Sequence, residues 1–204
     1  MTPMEFPKTV KLSSGKEIIL RPMESGDEVP LLHFFQSVPA EDRMFFRDDV
    51  TNPAVIRRWA RTIDYERMIP LLAFDGDRVV ADASLHRQAS GWSPHVGEIR
   101  VSVATDCRGQ GLGTALAREI FHLALSLKLE KVMAQMMSCQ NAAMAVFESL
   151  GFTQEAVLKN YVRDQRGAKH DLIIMMQDVE DFWKHMEDAI AESHRDFSGD
   201  YRVS

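Results

Sequence analysis

The chain has 204 residues, of which 45% are hydrophobic and 26% charged, and its formal net charge is -6 at pH 7. These proportions exclude a disordered chain and fit one domain with elaborations around a sizeable core. The acidic balance disfavours a broad nucleic-acid surface and modestly favours cationic substrates by electrostatic steering.

Several classes of protein are disfavoured by particular residues. The two cysteines, Cys107 and Cys139, are too few for a disulfide framework or a cysteine-based zinc site. His86 and His95 lack a third ligand at suitable spacing, so we expect no metal. The longest apolar run, Met68–Phe74, is far too short to span a bilayer, and the first ten residues lack the apolar core of a signal peptide. We therefore expect a cytoplasmic protein that binds no membrane; a homodimer is compatible with these features.

Hydrophobic periodicity and turn signals predict strands both before and after the long helices, which indicates a mixed α+β sheet rather than a doubly wound one. We expect residues 1–178 to form this domain, and residues 179–204 to add an amphipathic helix and a polar tail. In chain order, the predicted elements are strands at Thr9–Leu12 and Ile18–Arg21, helices after Ser25 and at Pro39–Phe46 and Pro53–Ile63, strands at Ile69–Phe74 and Val79–Leu85, a polar loop at His86–Pro94, a strand at Gly97–Val103, a helix at Leu112–Leu127, a strand at Lys131–Met136, a helix at Asn141–Leu150, strands at Phe152–Val162 and Asp171–Met176, and a final helix from Val179 to Ile190.

A glycine-rich turn joins a strand to a long helix between Val96 and Thr114, in the sequence V-G-E-I-R-V-S-V-A-T-D-C-R-G-Q-G-L-G-T. The first N–H groups of a helix lack partners inside the helix, and the helix dipole makes its N-terminus an anion site. Glycines let a ligand approach the backbone closely, and Arg108 could bind a phosphate with two N–H groups. The turn therefore predicts a cradle for a diphosphate.

The spacing of these glycines excludes two common phosphate-binding loops. A P-loop requires Gly-Lys followed by Ser or Thr, and no lysine follows any of these glycines. The dinucleotide fingerprint requires a third glycine where Thr114 stands. Tight packing of the turn, without any ligand, is the structural alternative.

Two motifs carry a resemblance to a known family. The run from Arg108 to Gly113 resembles the coenzyme A signature, [QR]-x-x-G-x-[GA], of the GNAT superfamily of acyl-CoA-dependent N-acyltransferases. The run N-A-A-M-A-V-F-E-S-L-G-F, from Asn141 to Phe152, resembles the second motif of that superfamily, with the aromatic residue slightly shifted. The segments L-R-P-M-E-S-G-D and R-M-F-F-R also resemble the opening of acyltransferase domains of bacterial protein-lysine acetyltransferases.

The resemblance implies a GNAT-like fold, in which a mostly antiparallel central sheet with a splayed strand is flanked by helices. It implies acetyl-CoA as cosubstrate and an amine of a small molecule or of a protein lysine as acceptor. Asn141 would bind the pantetheine arm, although it could also cap the helix that follows. The residues implied in acetyl-CoA binding are Val101, Ser102, Val103, Arg108, Gly109, Gln110, Gly111, Leu112, Gly113, Thr114 and Asn141. A CoA-binding sensor that performs no chemistry is the alternative function.

Three groups are candidates for the chemistry of acyl transfer. An alkylamine is protonated at neutral pH and must lose a proton before it attacks a thioester. The resemblance gives Glu98 as the general base, Tyr161 as the acid for the departing thiolate, and the backbone N–H of Val103 as the donor to the oxyanion. The structural alternatives are a pair between Glu98 and Arg100, and packing of Tyr161 across the strands; a shift of one residue would turn Tyr161 to the opposite face.

Overall fold

The structure is a computed structural model that describes residues 6–43, 46, 48–164 and 166–182. It contains eight strands and five α-helices among those residues. The strands are β1 (Lys8–Lys11), β2 (Glu17–Pro22), β3 (Met68–Asp75), β4 (Arg78–Arg87), β5 (Val96–Val103), β6 (Lys131–Met137), β7 (Thr153–Arg163) and β8 (Lys169–Asp178). The helices are α1 (Glu28–Ser37), α2 (Ala40–Arg43), α3 (Pro53–Arg61), α4 (Leu112–Ser126) and α5 (Asn141–Ser149).

All eight strands form one sheet in the order β1-β2-β3-β4-β5-β6-β8-β7. Every neighbouring pair is antiparallel except β5 and β6, which are parallel and joined by α4 as the crossover. The parallel pairing ends at Ile99 and Ala134, although β5 continues to Val103 and β6 to Met137. The predicted α+β class is confirmed, and β5 and β6 separate toward their C-terminal ends.

The two faces of the sheet are covered by different helices. α4 packs on the face to which the odd-numbered residues of β5 point, because a Cβ built on Gly113 would lie 3.7 Å from Val103 Cγ2. α1 covers the opposite face, where Phe34 shares a cleft with Arg21. Arg21 of β2 pairs with Leu72 of β3, and Leu72 pairs with Asp82 of β4, so these three residues lie on the same face. The opposite face therefore includes Asp82.

Each layer of helices has an aromatic cluster. Phe35 of α1 makes edge contacts with Phe46 and with Trp59 of α3. On the other side of the sheet, Phe121 of α4 stacks on Phe182 with ring centroids 4.1 Å apart, and it contacts Phe152 edge-on. Large rings in these arrangements bury much apolar area, and they fix the helices against the sheet.

Some predicted elements differ from the structure. The polar loop predicted to begin at His86 is wrong at its start, because β4 continues through Arg87 and pairs with β5 to Gly97. The helix predicted at Pro39–Phe46 is a single turn, α2, and its predicted end falls partly on residues outside the described part. The predicted C-terminal helix also lies outside the described residues from 183 onward. Within the described part, no helix is long and apolar enough to cross a membrane.

Candidate active site

A cleft of about 1110 Å³ opens where β5 and β6 separate. Its walls come from the end of β5, the turn before α4, the first residues of α4 and α5, and the β7–β8 hairpin. Ten of the eleven residues implied in acetyl-CoA binding line it. They are Val101, Ser102, Val103, Arg108, Gly109, Gly111, Leu112, Gly113, Thr114 and Asn141.

The turn before α4 has the geometry of an anion cradle. Gly109 and Gly111 adopt φ values of 69° and 86°, in the left-handed region that favours glycine. Gly111 is the N-cap of α4, and it makes no side-chain capping hydrogen bond. Because a glycine cannot cap with a side chain, the first N–H groups of α4 are left to face the cleft. An anionic group of a ligand is the partner that this helix end favours.

Arg108 stands at the rim of the cleft and is already engaged. Its Nε donates to the carbonyl oxygen of Val103 at 3.0 Å, and its Nη2 donates to Asp42 Oδ2 at 2.5 Å. The first contact ties the guanidinium to the end of β5. The second connects it to α2, which contributes Glu41 and Asp42 to the wall of the cleft.

The backbone of β5 offers donors to the cleft. The N–H of Ala104 donates to Val80 of β4 at 2.8 Å. Since N–H groups alternate in direction along a strand, those of Val101 and Val103 point the other way, toward β6. The pairing of β5 with β6 ends at Ile99, before Val101 and Val103. A carbonyl oxygen bound between the strands could therefore accept from these amides.

The family follows from a comparison with family models. A model described as Acetyltransferase (GNAT) family matches residues 35–152, which is more than half of the chain. The chain belongs to the GNAT acetyltransferase family. The glycine turn, α4 and Asn141 all lie inside the matched region.

Solved GNAT structures have the same fold at low sequence identity. The GNAT domain of PAT from S. lividans is 20% identical with a TM-score of 0.68, over 85% of this chain and 99% of that chain. The ribosomal-protein-S5-alanine acetyltransferase from Vibrio fischeri is 16% identical with a TM-score of 0.70, over 81% and 94% of the two chains. The ribosomal-protein-alanine N-acetyltransferase from Brucella melitensis is 22% identical with a TM-score of 0.67, over 78% and 98%.

One of the implied binding residues sits differently from expectation. Asn141 is the first residue of α5 and lines the cleft, and Gln140 is the N-cap of that helix, so the alternative role of a helix cap falls to Gln140. Gln110 turns away from the cleft: its Nε2 donates to the carbonyl oxygen of Asp106, and its Oε1 accepts from Ser14 Oγ at 2.7 Å. Gln110 thus secures the turn against the β1–β2 loop.

The two predicted acid–base residues lie outside the set that lines the cleft. Glu98 Oε1 accepts a hydrogen bond from Arg100 at 3.0 Å, which is the pairing named as its structural alternative. Tyr161 is 67% exposed. A bulge between Leu158 and Val162 interrupts the pairing of β7 there, and Asn160 adopts a φ of 52°. Alternation along β7 is therefore broken just before Tyr161.

A row of polar side chains covers the face of β4 and β5 that points away from α4. The antiparallel register places them in three cross-strand pairs, since alternate residues share a face. We call this set the polar face; its pairs are Asp82 with Ser102, Ser84 with Arg100, and His86 with Glu98. Ser84 is buried, and its Oγ lies 3.0 Å from His86 Nε2.

Asp82 has an unusual environment within the polar face. Burial raises the pKa of its carboxyl to about 7, and the nearby charge of Arg100 opposes that rise. Among the described residues, none forms a hydrogen bond or an ion pair with this carboxyl. A carboxyl with this pKa exchanges a proton at neutral pH, as a general base must.

Residues of the β7–β8 hairpin form part of the site that sequence reasoning did not identify. His170 Nε2 lies 2.9 Å from Asp164 Oδ2, and both side chains line the cleft. The hydrogen bond from His170, with backbone hydrogen bonds from the turn, lowers the pKa of Asp164. The sequence marked this segment only as a connecting turn. No group of three His, Cys, Asp or Glu side chains within the described ranges is arranged to hold a metal.

Proposed function

We propose that this chain is an N-acetyltransferase that moves an acetyl group from acetyl-CoA to an amine of a small molecule or a protein. The observation that carries the proposal is the cleft itself, where the separated strands β5 and β6 meet the glycine turn and the N-terminus of α4. Membership of the GNAT acetyltransferase family supports acyl transfer. The identity of the donor, acetyl-CoA, and the class of the acceptor, an amine, are what this proposal adds to family membership.

The binding roles follow from the chemistry of the cleft. The backbone amides from Gly109 to Thr114 hold the pyrophosphate of the donor at the positive end of α4. Arg108 supplies a full charge beside them. Asn141, at the opposite wall, binds the pantetheine arm. In this proposal the thioester lies between β5 and β6, beside the amides of Val101 and Val103.

The chemical roles require an oxyanion donor and a base. Backbone N–H groups fixed in a strand stabilise the developing oxyanion without reorganisation, and that role falls to Val103 with Val101 beside it. The proton of the acceptor amine passes to a carboxylate of the polar face. Glu98, the candidate from the sequence, is one of the two carboxylates on that face, and Asp82 is the other.

A non-catalytic CoA-binding module is the second candidate function. The position of Glu98 and Tyr161 outside the lining of the cleft favours it, because a sensor needs no acid or base. Its binding would depend on the same cradle.

Titration calorimetry with acetyl-CoA and NAD, followed by assays of thiol release with a panel of amines, separates these functions. The panel should contain small amines, polyamines, aminoglycosides and peptides with lysine. An N-acetyltransferase binds acetyl-CoA but not NAD and releases thiol only when an accepted amine is present. Binding of acetyl-CoA without transfer to any amine would favour the sensor, and failure to bind acetyl-CoA would contradict both functions.

A further inference from the structure

The polar face is unusual because it lies on the two central strands of the sheet. Central strands covered by helices normally carry apolar side chains on both faces. β4 is apolar on the side of α4, where Ala81, Ala83 and Leu85 are fully buried. On its other side, however, it carries Asp82, Ser84 and His86 in succession. Ser84 is buried and the other five side chains of the polar face are half-buried, and removing polar groups even partly from water costs free energy unless they are paired.

Asp82 is the carboxyl of the polar face that suits a cation. Arg100 pairs with Glu98, with 28% and 17% of the two side chains exposed. Asp82 adds a negative charge when it is ionised, which favours a positively charged ligand at that point.

Asp82, like Glu98, is not among the residues that line the cleft, but the register places it beside one that is. Its cross-strand partner is Ser102, which lines the cleft between the two residues whose amides face β6. Directly opposed side chains in an antiparallel pair are about 5 Å apart at Cβ. Glu98 lies four residues before Ser102 on β5, about 13 Å along the strand. Asp82 is therefore nearer than Glu98 to the level at which the cleft opens.

We propose that the polar face is the wall that binds the acceptor, and that Asp82 receives the ammonium group of a cationic aliphatic amine and takes up its proton. This rests on the proposed N-acetyltransferase function and extends it to a residue and a substrate class. Arg100 and Ser102 flank Asp82, and Glu98 keeps Arg100 from opposing the bound cation.

The proton and electron pairs balance in this scheme. The ammonium gives one proton to the Asp82 carboxylate and becomes a neutral amine. Its lone pair forms the C–N bond at the thioester carbonyl, and the C–S bond breaks to release the thiolate. The nitrogen then loses its second proton, which restores the thiol of CoA through solvent. Asp82 returns its proton to water before the next turnover.

Charged and titratable groups near Asp82 influence the pH at which its carboxyl loses its proton. Among the described residues these groups are Arg100 and Glu98 on β5 and His86 on β4. Its partner on β3, Leu72, is apolar. More distant groups on the same face are already paired or lie on α1; they are Arg21 with Asp27, Glu28 with Arg57, and His33.

The test compares Asp82→Asn with Glu98→Gln and with Asp77→Asn, an exposed control in the β3–β4 turn. The kcat/KM for an alkylamine is measured from about pH 5 to about pH 9, together with the affinity for acetyl-CoA by calorimetry. The wild-type profile should have a limb near the Asp82 pKa of about 7. Asp82→Asn should abolish that limb and lower kcat/KM by roughly 10²–10⁴-fold with unchanged affinity for acetyl-CoA. Glu98→Gln should retain the limb, and Asp77→Asn should match the wild type.

An arylamine, which is unprotonated at neutral pH, provides an independent readout. Asp82→Asn should lose much less activity with the arylamine than with the alkylamine, because no ammonium has to be bound or deprotonated. A limb near neutral pH that persists in Asp82→Asn, or equal losses with both acceptors, would overturn the assignment. If the wild-type chain acetylates neither acceptor nor any other amine, the proposed function fails first, and this assignment fails with it.

Discussion

The guanidinium of Arg108 and the carboxylate of Asp42 are 2.5 Å apart across the mouth of the cleft. Arg108 is the residue expected to hold the pyrophosphate, and its guanidinium is paired with Asp42 of α2. A diphosphate must therefore compete with Asp42 for Arg108. The two side chains are 44% and 30% exposed, and exposed ion pairs contribute little, about 0.2–1 kcal/mol.

Removing the competing charge should strengthen CoA binding. We expect Asp42→Asn to lower the Kd for CoA by at most about fivefold, the equivalent of about 1 kcal/mol. Titration calorimetry measures this change directly. Glu41→Gln is the matched control, because it removes a neighbouring negative charge from the same wall without touching the pair. Weaker CoA binding in Asp42→Asn would show that Asp42 positions Arg108 rather than competing with the ligand.

Gly113 allows the cleanest test of the phosphate cradle. A Cβ at this position would meet Val103 Cγ2 at 3.7 Å, an ordinary contact, and an acidic side chain is favourable at a helix N-terminus, so Gly113→Asp should fold normally. Gly109 and Gly111 have positive φ, so substitutions there strain the backbone whatever the ligand does. We expect Gly113→Asp to weaken acetyl-CoA binding by about tenfold or more, because the added carboxylate crowds and repels the phosphates.

The control for Gly113→Asp is Gly26→Asp, since a Cβ on Gly26 would meet nothing within 4 Å and Gly26 does not line the cleft. Its affinity for acetyl-CoA should match that of the wild type. Unchanged affinity in Gly113→Asp, with an unchanged melting temperature, would contradict the placement of the phosphates at the start of α4.

Gly97 should tolerate substitution poorly for a reason unrelated to the ligand. A Cβ there would lie 2.7 Å from Leu85 Cδ1 and 3.0 Å from Leu129 Cδ1, beneath the helix side of the sheet. Overpacking of this kind typically costs about 1–3 kcal/mol, and we expect Gly97→Ala to reduce the free energy of unfolding in urea by that amount. Adding Leu129→Val should recover part of the loss. Purely additive effects of the two substitutions would argue against the contact.

Asp82 should also make stability depend on pH. The unfolded carboxyl has a pKa of 3.8, and the folded one about 7. Between these values the folded state binds more protons, so the free energy of unfolding falls as pH rises through this window and levels off above it. Asp82→Asn removes the dependence and should raise the melting temperature more at about pH 8 than at about pH 5. Equal changes at both pH values would mean that the carboxyl is not destabilised by burial.

Local signals in the sequence were sufficient to predict the cradle. The turn from Arg108 to Thr114 depends on chain-local geometry, namely positive-φ glycines at the start of a helix, and ten of the eleven implied residues line the cleft. Gln110 is the exception because a contact from a distant loop, at Ser14, turns its side chain away.

The rest of the site depends on contacts between segments that are far apart in the chain. The sequence of β4 predicts a strand but gives no sign that Asp82 belongs to a site. Only the register that pairs Asp82 with Ser102 reveals the polar face. Asp42 and Arg108 pair although three strands, β3 to β5, lie between them in the chain. Tyr161 illustrates a further difficulty, because a bulge in β7 breaks the alternation from which its direction would be predicted.

The central claim is that the cleft between β5 and β6 transfers acetyl groups to an amine. The most direct test incubates the wild-type chain with acetyl-CoA labelled with carbon-13 in the acetyl group and with the amine panel. Mass spectrometry then measures labelled product and free CoA in the same sample. We predict equal amounts of N-acetylated amine and free CoA for at least one cationic amine, and initial rates of both lowered by roughly 10²-fold or more for Asp82→Asn. Free CoA that forms without any acetylated amine, or no turnover with any member of the panel, would contradict the claim.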